Sequence, residues 1–423
     1  MTALRTGFKR AASPRRGTVS CRSRSGRRTL QRRPRIPWSA GMSSQTLQLI
    51  TSHRGASFSA ADRVDVAIGR LAVRTRRLSG GLREGVLLVE LVAGDTRVFV
   101  LPDRGLGIWK VMAEGVELGW QSPVHGPVNP RFVPLAEPSG LGWLDGFDEL
   151  VARCGLVSNG APDVDPSGRL VHGLHGRIAN LPAHHLDVTL DEAAGSITLT
   201  GAVDETRFLC HALRMTTSLT LHADRHRVSW TDCVKNISDR AATMQLLYHV
   251  NFGPPLLGPG SELVAAIEEL APRDAAAVAD VPTWNRYVSP QAGRGEQVHF
   301  ARVRPGADGH AAAMLVGPEG RNAATLSWRA DTLPCFTLWK NQGGLADGYV
   351  TGLEPGTNFP NPRSFEESQG RLVPLEPGET VRFDLALEHF SASAIDAERR
   401  RITGPVAPVP AIHAQPKAGW SRT

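Results

Sequence analysis

Between His185 and Phe252 the apolar residues recur at nearly every second position. HLDVTL, SITLTGAV, LRMTTSLTLH, HRVSWTDCV and TMQLLYHVNF follow one another, parted by short polar or Gly-containing breaks. A period of two marks a strand with one buried face, and strands this closely spaced pair antiparallel. Upstream, VLLVELVAGDTRVFVLP sets two apolar runs around a Gly-Asp turn, the pattern of a hairpin. GHAAAMLVG, NAATLSWRA, CFTLWKN and TVRFDLALEHFSAS continue the theme towards the C-terminus. Helix signals are few: residues 261–280, interrupted by Pro272, and SAIDAERRR near the end. There is no βαβ alternation, heptad or internal repeat. The pattern predicts an all-β fold, a large antiparallel β-sandwich with few short helices.

Length and composition agree with that reading. The chain has 423 residues, and its 43 Gly and 30 Pro punctuate many short strands. No apolar stretch is long enough for a membrane span. The five cysteines form no C-x-x-C pair and are odd in number, which argues against a disulfide framework or zinc cluster and for a reducing compartment, the cytoplasm.

Charge divides the chain. The formal net charge is +7, yet residues 1–41 hold twelve Arg or Lys and no Asp or Glu, so the remainder is negative by about five. Residues 1–42 are expected to be a disordered basic tail, read as an upstream start before Met42, a transit-type segment or a basic arm. Residues 43–395 are expected to be a single domain and 396–423 a loose C-terminal tail. Nucleic-acid binding would rest on the first tail alone; none is expected for the body.

Candidate chemistry lies where Gly, Pro, His, Trp and charged residues crowd into long loops: 119–149, 155–182, 251–262, 282–297 and 341–367. In VHGLHGRIANLP, His172, His175 and Arg177 stand among glycines; solvent-facing turn residues or paired zinc ligands are the alternatives, but no third ligand stands at a telling spacing. In YHVNFG, a strand puts His249 and Asn251 on one face, towards a cleft or into the sheet. In GLEPGTNFPNPR, Glu354 meets a rigid Pro-Gly turn with Asn358 beyond it; partial burial would raise its pKa, as suits a general base, and a solvated turn carboxylate is the alternative. Lesser candidates are Asp103, Arg104, Trp339, Lys340 and the Trp284-Asn285-Arg286 run, since sugar sites combine aromatic rings with hydrogen-bonding groups.

Taken together, LHGRIANLPA, YHVNFGPPLL and LEPGTNFPNPR resemble the galactose mutarotase-like superfamily, and within it an uncharacterised aldose 1-epimerase-related domain family, over roughly residues 80 to 390. The resemblance implies a β-supersandwich with a small-molecule sugar in an open cleft, acid–base opening of the sugar ring, and no metal or organic cofactor. It implies His249 as general acid and Glu354 as general base. It implies His175, Arg177 and Arg104 as sugar-binding residues; Asn251, His172, Trp339, Lys340 and Asn358 are added to the candidate sugar-binding set from the residues themselves. R-I-A-N follows the first histidine where mutarotases carry N-R-I before it, and E-P-G-T-N replaces E-P-Q or E-T-Q. The sugar is therefore not named by the motifs. A non-catalytic sugar-binding protein, or another epimerase, isomerase or lyase, would use the same scaffold.

Overall fold

The computed structural model describes residues 44–51, 59–60, 63–404 and 409–422. The basic segment 1–42 lies outside the described residues. Two large sheets, of ten and fourteen strands, face each other. Neighbouring strands pair antiparallel, apart from a short parallel pairing of Ala411–Ile412 with Ile267–Pro272. Among the described residues there are three α-helices, Ala275–Val278, Arg363–Ser368 and Ala392–Thr403. None is long and apolar enough to cross a membrane.

The period-two segments form consecutive strands of the smaller sheet: His185–Asp191, Ser196–Arg207, His211–His222 and Arg227–Asn236. Leu186, Val188 and Leu190 point inward, as do Leu219 and Leu221, while the residues between them meet solvent. The two apolar runs around Gly94-Asp95 form the hairpin Leu87–Ala93 and Thr96–Leu101.

The middle of the larger sheet is buried on both faces. Val151–Leu156, Ala242–Phe252 and Val350–Gly356 lie side by side. Tyr248, Val250 and Leu353 face the sandwich core. Leu247 and Val350 face away, under a second cluster made by Trp120, Trp143 and Phe147 of the loop over residues 119–149. A loop that covers the outside of a sheet leaves a hollow wherever its packing is incomplete.

A buried polar network pins the central strand to the opposite sheet. The Asp232 carboxylate, on Arg227–Asn236, accepts from Arg153 at 2.6 and 3.1 Å, from the Tyr248 hydroxyl at 2.8 Å and from Thr217 at 2.5 Å. A charge pair without solvent persists only when its lone pairs are filled in this way.

Within residues 261–280 the short helix, Ala275–Val278, lies wholly after Pro272 and is capped by Asp274, while Glu262–Ala265 and Ile267–Pro272 are strands. One expectation is corrected. The C-terminal segment is not loose. Beyond the helix Ala392–Thr403, Trp420 packs 4.9 Å from Phe359 and its carbonyl accepts from Asn361 Nδ2 at 2.8 Å. Lys417 and His413 both reach Glu269. One buried tryptophan and a set of ionic ties outweigh the entropy that the proline content suggested.

Candidate functional site

A cleft of about 560 Å³ opens on the outer face of the larger sheet. Strands form one side, carrying His249, Glu354, Thr337 and Trp339. Strand alternation explains the choice: Phe336, Leu338 and Leu353 turn to the core, so Thr337, Trp339 and Glu354 turn out. Loops form the other side with Trp120, Trp143, Leu144, Phe147 and Leu174.

His249 and Glu354 meet in this cleft. Nε2 of His249 lies 3.2 Å from Oε1 of Glu354, with side-chain exposures of 6% and 2%. Their strands run in register, Val250 opposite Leu353 and Asn251 opposite Gly352. Gly352 leaves the space they occupy: a Cβ there would stand 2.4 Å from Glu354 Oε1 and 3.1 Å from His249 Cε1.

Hydrogen bonds around His249 set its tautomer. Asn251 Nδ2 donates to the carbonyls of Glu149 and His249, both at 3.0 Å. That leaves Asn251 Oδ1 as the acceptor 2.5 Å from His249 Nδ1, so Nδ1 carries a proton and Nε2 faces Glu354.

Burial dominates the electrostatics. It drives the Glu354 pKa well above the usual carboxylate range, with the nearby Glu296 charge adding to the effect and Arg273 opposing it. It drives His249 well below the usual imidazole range, helped by His175 and opposed by the Asn251 hydrogen bond. Oε1 of Glu354 has no hydrogen-bond donor in the protein. Both shifts disfavour the charged forms, so burial opposes an ion pair across the 3.2 Å contact.

His175 closes the end of the cleft. Its ring lies 5.4 Å from that of His249 and 4.6 Å from Trp143. Its Nδ1 pairs with the Asn159 carbonyl at 2.9 Å, and burial lowers its pKa to about 4. The turn that presents it needs Gly176: φ is +70°, and a Cβ would strike the Ser158 carbonyl oxygen at 2.0 Å. Asn159 is held in turn by Asn358, the two side-chain amides exchanging hydrogen bonds of 2.9 Å.

At the open side, Glu296 accepts from Trp339 Nε1 at 2.7 Å and from Arg273 at 2.8 Å. Among the described residues no group of three or more His, Cys, Asp or Glu is arranged to hold a metal ion.

The model of a domain family of unknown function, DUF4432, matches residues 83–389. The chain belongs to the DUF4432 family. No curated protein matches it. Among solved structures, a Klebsiella pneumoniae protein described as a "putative aldose 1-epimerase" is 29% identical, with a TM-score of 0.83 over 89% of this chain and 99% of that one. A galactose mutarotase-like protein from Clostridium acetobutylicum is 14% identical, with a TM-score of 0.52 over 76% of this chain and 99% of that one, a likeness of fold. This DUF4432 chain therefore carries the galactose mutarotase-like sandwich.

Of the residues singled out in the sequence, His175, His249, Trp339 and Glu354 line the DUF4432 cleft. Asn251 and Asn358 stand behind them as supports. The remaining four are elsewhere. Arg104 is sealed in the interior, pairing with Glu149 and donating to the carbonyls of Val128 and Gly146 and to Asn180; it pins the covering loop. Lys340 points to the other side of its strand, where Nζ donates to Asp280 at 2.6 Å. Arg177 and His172 are not cleft-lining residues either. Arg177 interacts electrostatically with buried Glu205, and His172 with Arg363, Asp163 and Arg207. The lesser candidates are structural too: Asp103 accepts from the Leu87 amide at 2.6 Å, Arg286 pairs with Glu262, and Trp284 packs on the core.

Trp120, Trp143, Phe147, Arg273, Glu296 and Thr337 line the cleft and were not singled out. The crowded loops at 119–149 and 282–297 contain four of them. Arg273 and Thr337 carry no local signal.

Proposed function

We propose that this protein is an aldose 1-epimerase-like isomerase that interconverts the anomers of a sugar by opening and closing its ring. The observation that carries the reading is the 3.2 Å contact of His249 and Glu354 at the floor of an open cleft. The hemiacetal oxygen and the ring oxygen are bonded to the same carbon. An acid and a base that stand side by side can therefore reach both at once.

Sugar hydroxyls in the cleft supply the polarity that the buried pair lacks, and a proton passes from Glu354 to His249 Nε2. The Glu354 carboxylate then takes the proton of the C1 hydroxyl while His249 gives its proton to the ring oxygen. The C1–ring oxygen bond breaks and its electron pair stays on that oxygen; C1 becomes an aldehyde. Rotation about C1–C2 presents the other face, and the transfers run in reverse. Each positioned transfer contributes roughly 10²–10⁴-fold. His175, neutral at pH 7, orients the ring, and Trp143 and Trp339 offer aromatic surface to its C–H groups.

The likeness to the Klebsiella protein supports this reading. The free cysteines Cys154, Cys210, Cys233 and Cys335 support a cytoplasmic setting. NMR exchange spectroscopy or polarimetry over a panel of aldoses tests the assignment. Glu354→Gln and His249→Ala are each expected to slow anomer exchange by at least about 10²-fold with an unchanged circular dichroism spectrum. Wild-type exchange in either variant would remove the assigned role.

A further inference from the structure

The two sides of the cleft differ in what they offer a ligand. On the strand side, Thr337 Oγ1 and Glu354 Oε1 are buried without a partner, and Arg273 and Glu296 add a cation and a carboxylate. Thr337 lies directly opposite Glu354 in register, so a ligand hydroxyl at the pair can also meet Thr337.

The loop side is apolar. Val124, Leu141, Leu144, Phe147 and Leu174 carry no polar side-chain atom. Two polar groups among these residues are engaged: Trp120 Nε1 donates to the Glu149 carbonyl at 3.1 Å and Ser122 Oγ to the Phe147 carbonyl at 2.6 Å; Asn341 and the exposed Asp347 line the cleft away from the leucines' own side chains. Trp143 Nε1 is the exception, a buried donor with no partner. Leu141 and Leu144 remain 44% exposed on this lip.

An ordinary hexopyranose carries hydroxyls around its whole rim. With one edge at His249, Glu354 and Thr337, the opposite edge faces the leucines. A hydroxyl lying against the leucines would gain no partner from their side chains. A methyl or a hydrogen in its place would be favoured by the same surface.

Building on the anomer-exchange reading, we infer that the cleft selects a deoxy sugar, an aldose whose edge remote from the hemiacetal bears a methyl group where common hexoses bear a hydroxymethyl.

The test uses three matched pairs, galactose with 6-deoxygalactose, glucose with 6-deoxyglucose and mannose with 6-deoxymannose. Binding is read by calorimetry and tryptophan fluorescence, and exchange by NMR. At least one deoxy member is expected to bind about tenfold tighter than its parent. Leu141→Ser with Leu144→Ser, which adds hydrogen-bonding groups to the exposed lip, is expected to reduce that ratio to about threefold or less. Equal binding, tighter binding of every parent, or a ratio unmoved by the double substitution overturns the inference. Exchange of parent and deoxy sugars alike would leave the proposed activity standing without it. Tighter binding of a deoxy sugar with no exchange would support the selectivity and overturn the activity. Binding of none of the six sugars overturns both.

Discussion

Gly352→Ala isolates the geometry of the His249–Glu354 pair from the stability of the fold. The residue lies in the middle of Val350–Gly356, and its φ is not in the left-handed region, so alanine suits its backbone. The added methyl would stand 2.4 Å from Glu354 Oε1 and 3.1 Å from His249 Cε1. Ordinary carbon–oxygen contacts are no closer than about 3.4 Å, so the carboxyl must retreat by about 1 Å. Because Oε1 ends a side chain that can rotate, the retreat costs little stability. It does cost alignment, since a displacement of that size at a reacting group lowers rates by about 10²-fold. The expected outcome is anomer exchange about a hundredfold slower, read by NMR, beside a melting temperature within a few degrees of the parent. Sugar affinity should change far less than the rate, because the residues that bind the rim are untouched. An exchange rate within about threefold of the parent, with the alanine confirmed in place by crystallography, would refute the idea that this contact carries the chemistry.

Four further outcomes follow from other parts of the molecule. Asn251→Ala removes the partner of His249 Nδ1 and leaves the Glu149 carbonyl with one donor fewer; exchange should fall by about tenfold or more, and Asn251→Asp should change the pH profile rather than restore it. Asp232→Ala strands the buried Arg153 guanidinium and should cost about 3–5 kcal/mol in urea unfolding, whereas a surface pair such as Arg329–Asp331 should cost nothing measurable. Burial raises the pKa of Asp148 from 3.8 to about 7, so the folded state binds more protons than the unfolded one between those values and stability falls as pH rises through them; Asp148→Asn, which can still accept from Trp109, should gain in melting temperature at pH 8 and not at pH 4. Burial lowers His175 from 6.5 to about 4, so there the unfolded state binds more protons and stability falls as pH drops through that window; His175→Gln should flatten the slope of melting temperature against pH between those values.

Residues that act through their immediate neighbours were legible before any coordinates. The period-two runs from His185 to Phe252 became strands because alternation alone buries one face, and His249 and Asn251 share a face for the same reason. Glu354 was found because a carboxylate ending an apolar strand is a local anomaly. Residues whose role depends on distant partners were not legible. Arg104 looks like a ligand-binding arginine beside a strand, yet Glu149, Asn180 and two carbonyls from three separate segments enclose it. Lys340 adjoins Trp339, but strand alternation sends the two to opposite faces, and only the placement of Asp280 explains how the lysine is satisfied. Trp420 is anchored by Phe359, 61 residues earlier, and nothing near it in the chain announces that contact.

By itself the sequence determined the class of fold, the strands and the two motifs that hold His249 and Glu354, because periodicity and turn chemistry act over a few residues. The tertiary structure alone decided which arginine is buried, which loop roofs the cleft, and that burial raises the Glu354 pKa and lowers that of His249. Those depend on which surfaces meet and exclude water, and solvent exclusion is a property of the assembled sheets rather than of any one segment.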